Sequence, residues 1–289
     1  MSAELLATTM PKGLARLLGL IALYGLSFSV PILGLWFLLR SGDAVYTDQI
    51  SKEKSALIEK SFSIHGAGDY LRISNSEDIQ PQPNKDFMFL LWFKLHKIPK
   101  QGERVFLALK YDKDSNARQG YGLALEHDSE GLRPLVYWQN SEGQGRWYSF
   151  SPFTAIPKEW MLLSVSFLDS KILGLHVIEY LGEKPKVKVL GGYRFDSAVI
   201  PQSASDLFIG GLSNGDPLKA KLGGFGIFHP KQLAADLNSI FEELELAPLV
   251  APAKLKGSGI WIQDLSDLGD YSKSISFYKD RKLVENPFN

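Results

Sequence analysis

From Phe62 to about Phe228 the chain alternates short apolar runs with clusters of turn residues. The runs are Asp69–Ile73, Phe87–Leu95, Arg104–Leu109, Tyr121–Glu126, Leu135–Trp138, Trp147–Phe150, Met161–Leu168, Ile172–Tyr180, Leu207–Ile209 and Leu222–Phe228. Between them stand Asn75-Ser76, Pro81–Asn84, Ser129–Gly131, Ser141–Gly145, Gly191-Gly192 and Ser213–Pro217. About ten strands at this spacing, with no helical period between them, predict an all-β, two-sheet jelly-roll sandwich. A helix follows over Lys231–Leu244, where Leu233, Leu237, Ile240, Phe241 and Leu244 fall on one stripe. Ala247–Pro252 then reads as a stiff linker. The tail to Asn289 holds one short apolar run, Gly259–Ile262, and is too short to build its own core.

One strand breaks the alternation. Phe87, Phe89, Leu91 and Phe93 lie on one face of the run 87–95, and Met88, Leu90 and Trp92 on the other. A sandwich strand with a wet outer face should alternate, so something covers this second face. The tail, the helix after Lys231 and another protein are the three candidates.

The N-terminal pattern is of another kind. Leu17–Leu39 is a run of 23 residues without a charge, long enough at ~1.5 Å per residue to cross a bilayer core. Lys12 and Arg16 flank one end and Arg40 the other, Trp36 suits a boundary, and Pro31 is tolerated as a kink. Gly42-Asp43-Ala44 offers a signal-peptidase-like site, but the run exceeds the ~7–15 apolar residues of a signal peptide, which favours an uncleaved anchor. The organisation expected is a tail (1–16), a transmembrane helix (17–40), a tether (41–61), a jelly roll (62–246) and a linker with C-terminal tail (247–289). Flanking charge does not decide orientation. The short N-terminal tail and the large cysteine-free β domain favour a single-pass protein of a bacterial inner membrane, with the domain on the periplasmic or extracellular side.

Composition removes several chemistries. There are 32 Lys plus Arg against 32 Asp plus Glu, so bulk charge recruits no nucleic acid. Residues 41–289 carry 29 basic and 31 acidic side chains, a net of −2, which by the same measure gives no handle on acidic lipid. No cysteine is present, which excludes disulfides, thiolate nucleophiles and Cys-ligated metals. The five histidines have no metal-chelating spacing.

The β region resembles the laminin-G-like branch of the concanavalin A-like lectin/glucanase superfamily. Gly68–Ile73 is similar to its opening G-D-Y-V-x-I strand and Phe87–Lys94 to its F-T-I-S-A-W-V-K strand. Gly120–Leu125 resembles the next core strand, and Trp160–Phe167 with Leu173–Val177 the W-x-H-V-A-x-T-F and L-x-L-Y-V pair. Leu207–Gly211, then Leu222–Phe228 and Leu233, resemble L-x-I-G-G and the closing strand, where Gly223 and Gly224 replace the usual acids. The resemblance covers roughly residues 62–244. It implies a jelly roll, with Trp92 and Trp160 packed between the sheets, and it names no ligand.

Three constellations remain. Glu126-His-Asp-Ser-Glu130 has the E-x-D-x-E spacing of the superfamily's glucanases, yet Ser129-Glu130-Gly131 reads as a hairpin turn, which argues against a glycoside hydrolase. Asp112, Asp114 and Asn116 sit where a calcium loop places its first oxygen ligands. Ala117 and Leu123 stand where that loop needs Gly and Glu, which leaves loop calcium a weak candidate and no cofactor expected. Tyr137, Trp138, Gln139, Asn140, Arg146, Trp147 and Tyr148 gather aromatic and hydrogen-bonding groups around one turn and form the candidate binding surface, although strand alternation sends about half of the aromatics at this turn into the core. The expectation is a non-enzymatic recognition module, an accessory subunit binding other proteins of a membrane assembly, with glycan recognition as the alternative.

Overall fold

The alternating runs fold as antiparallel strands in a computed structural model that describes residues 60–111, 119–139, 143–169, 171–180, 185–196, 200–210, 218–246, 250–265, 267–285 and 287. In chain order they are β1 (Phe62–Ile64), β2 (Tyr70–Ile73), β3 (Phe87–Leu95), β4 (Arg104–Tyr111), β5 (Gly120–Asp128), β6 (Gly131–Gln139), β7 (Gly145–Ser149) and β8 (Trp160–Leu168). Then come β9 (Ile172–Glu179), β10 (Lys186–Arg194), β11 (Leu207–Gly210), β12 (Ala220–Phe228), helix α1 (Leu233–Leu246), β13 (Gly259–Ile262), β14 (Ile275–Lys279) and β15 (Lys282–Val284). One sheet runs β1-β12-β3-β8-β9-β10, with β13 also on β12, and the other runs β15-β14-β2-β11-β4-β5-β6-β7. This is the two-sheet sandwich that the pattern predicts.

Period two decides what each strand buries. Phe87, Phe89, Leu91 and Phe93 of β3 and Leu163, Val165 and Phe167 of β8 face inward against Tyr121, Leu123, Val136 and Trp138 of the other sheet. The opposite face of β3 buries Met88, Leu90 and Trp92 under α1, where Leu233, Ile240, Phe241 and Leu244 form the packed stripe. Leu255 and Trp261 from the tail complete that second cluster. Helix and tail together therefore cover the doubly apolar strand, and its pattern needs no other protein. Trp92 and Trp160 are buried as expected but in this second cluster, beneath the helix, and not between the sheets. The reason is parity: both are one residue out of phase with the inward Phe93 and Met161.

The helix is held at both ends by distant residues. The Leu233 amide donates to Asp86 Oδ2 (2.6 Å), and Asp86 Oδ1 accepts from the Asp169 amide (2.8 Å). That carboxylate does the work of an N-cap from 147 residues away. At the other end Tyr180 Oη donates to the Leu244 carbonyl (3.1 Å).

The boundary expected at residue 246 falls inside the fold. β13 extends β12 from Phe225↔Ile262 to Phe228↔Gly259, and β14 pairs with β2 from Ile275↔Ile73 to Tyr278↔Tyr70. The tail needs no core of its own because it adds β13 to one sheet and β14 with β15 to the other. The apolar run 17–40 and the tether as far as residue 59 lie outside the described residues. Among the described residues no helix is long and apolar enough to cross a membrane.

Candidate functional site

Among the described residues no helix covers the outer face of the eight-stranded sheet, and its side chains are set by register. Across β4-β5-β6-β7 one row reads Leu109–Gly122–Tyr137–Trp147, and the next reads Phe106–Ala124–Leu135–Ser149. The two residues contributed by β5 are small. Gly122 cannot be replaced without a shift, because a Cβ there would lie 2.6 Å from Leu109 Cδ1. That absence of bulk lets large rings from β4 and β7 lean over β5 and β6 and meet. Trp147 packs 5.7 Å from Phe106 and 5.2 Å from Tyr137, and Tyr137 lies 5.8 Å from Tyr111, centroid to centroid.

Polar groups border this platform. Arg104 presents its guanidinium 5.8 Å from the Trp147 ring. Its Nε and Nη2 both donate to Glu126 Oε2, at 2.8 and 2.5 Å, so fork and carboxylate are fixed together beside the indole. One step further, Arg133 donates to Asp128 and Glu130. Asp128 Oδ1 also accepts the Glu130 and Gly131 amides (2.8 and 3.1 Å), which makes 128–131 the hairpin turn the sequence suggests. Hydrogen bonding from Arg133, then from the Glu130 amide, holds the Asp128 carboxyl below the usual carboxylate range. The three acids of the E-x-D-x-E motif are thus each engaged by an arginine.

The seven residues expected to form one binding surface are divided between two faces. Tyr137, Gln139 and Trp147 lie on the outer face, but Tyr137 is only 6% and Gln139 only 4% exposed, which leaves Trp147, half-buried, as the accessible ring. Gln139 Nε2 donates to the Gly143 carbonyl (3.1 Å). Trp138 and Tyr148 face the interior, and Trp138 is fully buried among Phe87, Tyr121 and Phe167. Neither can meet a ligand, and the physical reason is the strand period: in β6 and β7 every second side chain must fill the core. Arg146 is exposed but pairs in register with Trp138, on the inward side, with its guanidinium 5.9 Å from the Tyr148 ring. Asn140 and the weak calcium candidates Asp112, Asp114 and Asn116 lie outside the described residues. Among the described residues no three His, Asp or Glu side chains gather as a metal site. Arg104 and Phe106 complete the site and are missed by sequence reasoning, and Glu126, visible there only as part of the E-x-D-x-E motif, joins them, since only the register of β4 on β5 brings all three to Trp147.

No family model matches the chain, and no curated protein sequence is similar to it. Among solved structures it is similar to tailspike protein 2 of an Escherichia coli O157:H7 bacteriophage, at 10% identity and a TM-score of 0.46, over 70% of this chain and 30% of that one. It is similar to the binding domain of botulinum neurotoxin serotype D at 12% identity and a TM-score of 0.44, over 63% and 42% of the two chains. A third likeness is to the CBM40 domain of a Ruminococcus gnavus IT-sialidase bound to α2,3-sialyllactose, at 8% identity and a TM-score of 0.38, over 56% and 88%. The chain matches between 30% and 42% of the length of the first two. Each is a likeness of chain path that carries no ligand across to this protein.

Proposed function

We propose that the domain is a non-enzymatic glycan-binding module on a laminin-G-like jelly roll, carried by an N-terminal membrane anchor over residues 17–40. One observation carries the reading: Trp147 stands half-open on an otherwise well-packed aromatic platform, with the Arg104–Glu126 pair fixed at its edge. A flat ring offers a sugar's C–H face an apolar surface, and a locked guanidinium–carboxylate pair offers donors and acceptors to its hydroxyls. The rings beneath Trp147 hold it in place, so little side-chain entropy is lost on binding.

The assembly-subunit reading drew on the neutral net charge, the doubly apolar strand β3 and the apolar stretch 137–153; α1 with Trp261 accounts for the strand, and Trp138, Tyr148, Phe150 and Phe153 of the stretch fill the core. A hydrolytic reading has little to work with, because Glu126 is tied to Arg104 and Glu130 stands on an exposed turn beside Arg133. The test is a glycan array probed with the full chain in mild detergent. Wild type is expected to bind a defined set of glycans, with Trp147→Ala weakening it on the order of thirtyfold, as truncation of a central aromatic anchor does. An array on which wild type binds nothing, while Trp147→Ala releases co-purifying membrane proteins, would return the function to the assembly reading.

A further inference from the structure

A neutral total hides an uneven distribution. At one end of the seven-stranded sheet, register aligns Ser63, Lys221, Lys94 and Trp160 across β1, β12, β3 and β8 on the outer face. Just past the strand ends come His65, Lys219, His96 and Lys158. The His96 amide donates to the Lys219 carbonyl (2.9 Å), the Lys158 amide to the Leu95 carbonyl (2.8 Å), and the His65 and His96 rings stack 6.3 Å apart, nearly parallel. Lys94 and Lys221 stand directly opposite each other, an arrangement that costs stability unless an anion intervenes. Burial and then the charges of His65, Lys221, Lys94 and Lys158 hold the His96 imidazole below its usual range, which attests to how closely the cations gather. Among the described residues none of Lys94, Lys158, Lys219 and Lys221 makes an ion pair, although Glu159 is near enough to act on Lys94.

An apolar tip accompanies the cations. Ile156 is 45% exposed in the turn closed by the Glu159 amide on the Ile156 carbonyl, two residues from Lys158. Cations around an exposed aliphatic side chain suit the boundary of an anionic bilayer, where the charges meet phosphates and the tip enters the acyl border. The one indole of this row, Trp160, is buried with the Lys94 ammonium 5.0 Å over its ring, so it offers no open face to a sugar. The patch also includes β1, the first strand, and 22 residues separate Leu39 from Phe62, a stretch whose extended reach is up to about 75 Å.

We propose that this basic face, with Ile156 at its tip, seats on the anionic phospholipid headgroups of the bilayer that anchors the chain. The inference rests on residues 17–39 holding the chain at a membrane. It is independent of the sugar site, which uses the other sheet. Engagement of the patch fixes how the domain stands on its membrane and leaves the platform around Trp147 free for ligand.

The absence of native cysteine allows a direct test. The full chain bearing Thr154→Cys, labelled with an environment-sensitive fluorophore beside Ile156, is reconstituted in phosphatidylcholine vesicles with or without about one third phosphatidylglycerol. In the anionic vesicles the label should shift to the blue and be quenched by a headgroup-attached quencher. A label at Ser149→Cys, on the aromatic face, should stay in water throughout. Neutralising Lys94, Lys158, Lys219 and Lys221 to Gln should weaken engagement about fivefold per lysine, several hundredfold in all, and ~1 M salt on the parent should do the same. Equal spectra in the two lipids, or a fourfold variant that behaves as the parent, would overturn the proposal. So would a label that ignores lipid and responds instead to an added acidic polysaccharide in a lysine-dependent way, since the patch would then be a glycan site. Anchorage is read separately by alkaline extraction, so failure of that premise is distinguishable from failure of the patch.

Discussion

Trp138 and Trp147 are nine residues apart on paired strands, yet they should fail in opposite ways. Trp138 is fully buried between the sheets, 4.6 Å from Phe167 and about equally surrounded by Phe87 and Tyr121. Truncation to Ala removes an indole from a packed interior that cannot collapse around the void, at a cost of about 3–5 kcal/mol. Against a total stability on the order of 5–15 kcal/mol the domain survives, with a melting temperature lower by about 10–15 °C. A second substitution isolates the cause. Among the described residues Trp138 Nε1 is buried without a partner, so Trp138→Phe keeps most of the ring packing while removing a desolvated donor, and it should cost under ~1.5 kcal/mol. Thermal unfolding of the full chain in mild detergent, followed by near-ultraviolet circular dichroism, ranks wild type, Trp138→Phe and Trp138→Ala in that order. Trp147→Ala should unfold within a few degrees of wild type, about 1 kcal/mol, and lose ligand instead. A Trp138→Ala protein with unchanged melting temperature and lost glycan binding would refute the assignment of Trp138 to the core.

Two further outcomes follow from buried polar groups. Burial holds the His176 imidazole down to about 4, beneath Phe241, so the unfolded chain takes up a proton that the folded one refuses. Stability should therefore fall as pH drops from about 6.5 to about 4, by roughly 3 kcal/mol from this group, and urea midpoints across that range should be flatter in His176→Leu. Asp86→Ala strips acceptors from the Leu233 and Asp169 amides and should cost about 3 kcal/mol, with hydrogen exchange accelerating first in the opening turn of α1.

Strand period and turn chemistry made most of the sandwich legible in advance. Phe87–Leu95 is predicted to the residue, and the two-sided apolar pattern of β3 correctly demands a cover. The helix stripe and the hairpin turn at 129–131 are likewise local features. β10 escapes because it is an edge strand exposed along most of its length, so no alternation marks it. β13 shows in the sequence as the apolar run 259–262 but without its place in a sheet, and β14 and β15 escape because they are short additions to a sheet built elsewhere and carry no core of their own. The site fails for the same reason. Its aromatic half is contiguous in sequence and visible, but parity removes Trp138 and Tyr148 from it, and Arg104, Phe106 and Glu126 enter from strands whose neighbours only topology determines. The basic face is the clearest case: its residues come from four separate stretches, and a net charge summed along the chain cancels them.

The pairing of β14 with β2 bears on how the protein is made. Ile73 meets Ile275, so the partner on the outer side of an early strand is synthesised 202 residues after it. At ~5–20 residues per second a ribosome needs about 10–40 seconds to supply that partner. Throughout that interval β2 presents an open row of amides and carbonyls to the crowded surroundings of a nascent chain, a template for pairing with the wrong neighbour. Slower translation over residues 74–275 should therefore lower the share of chain that reaches the native sheet while leaving the stability of the finished domain unchanged, and the yields of synonymous-codon variants read this directly.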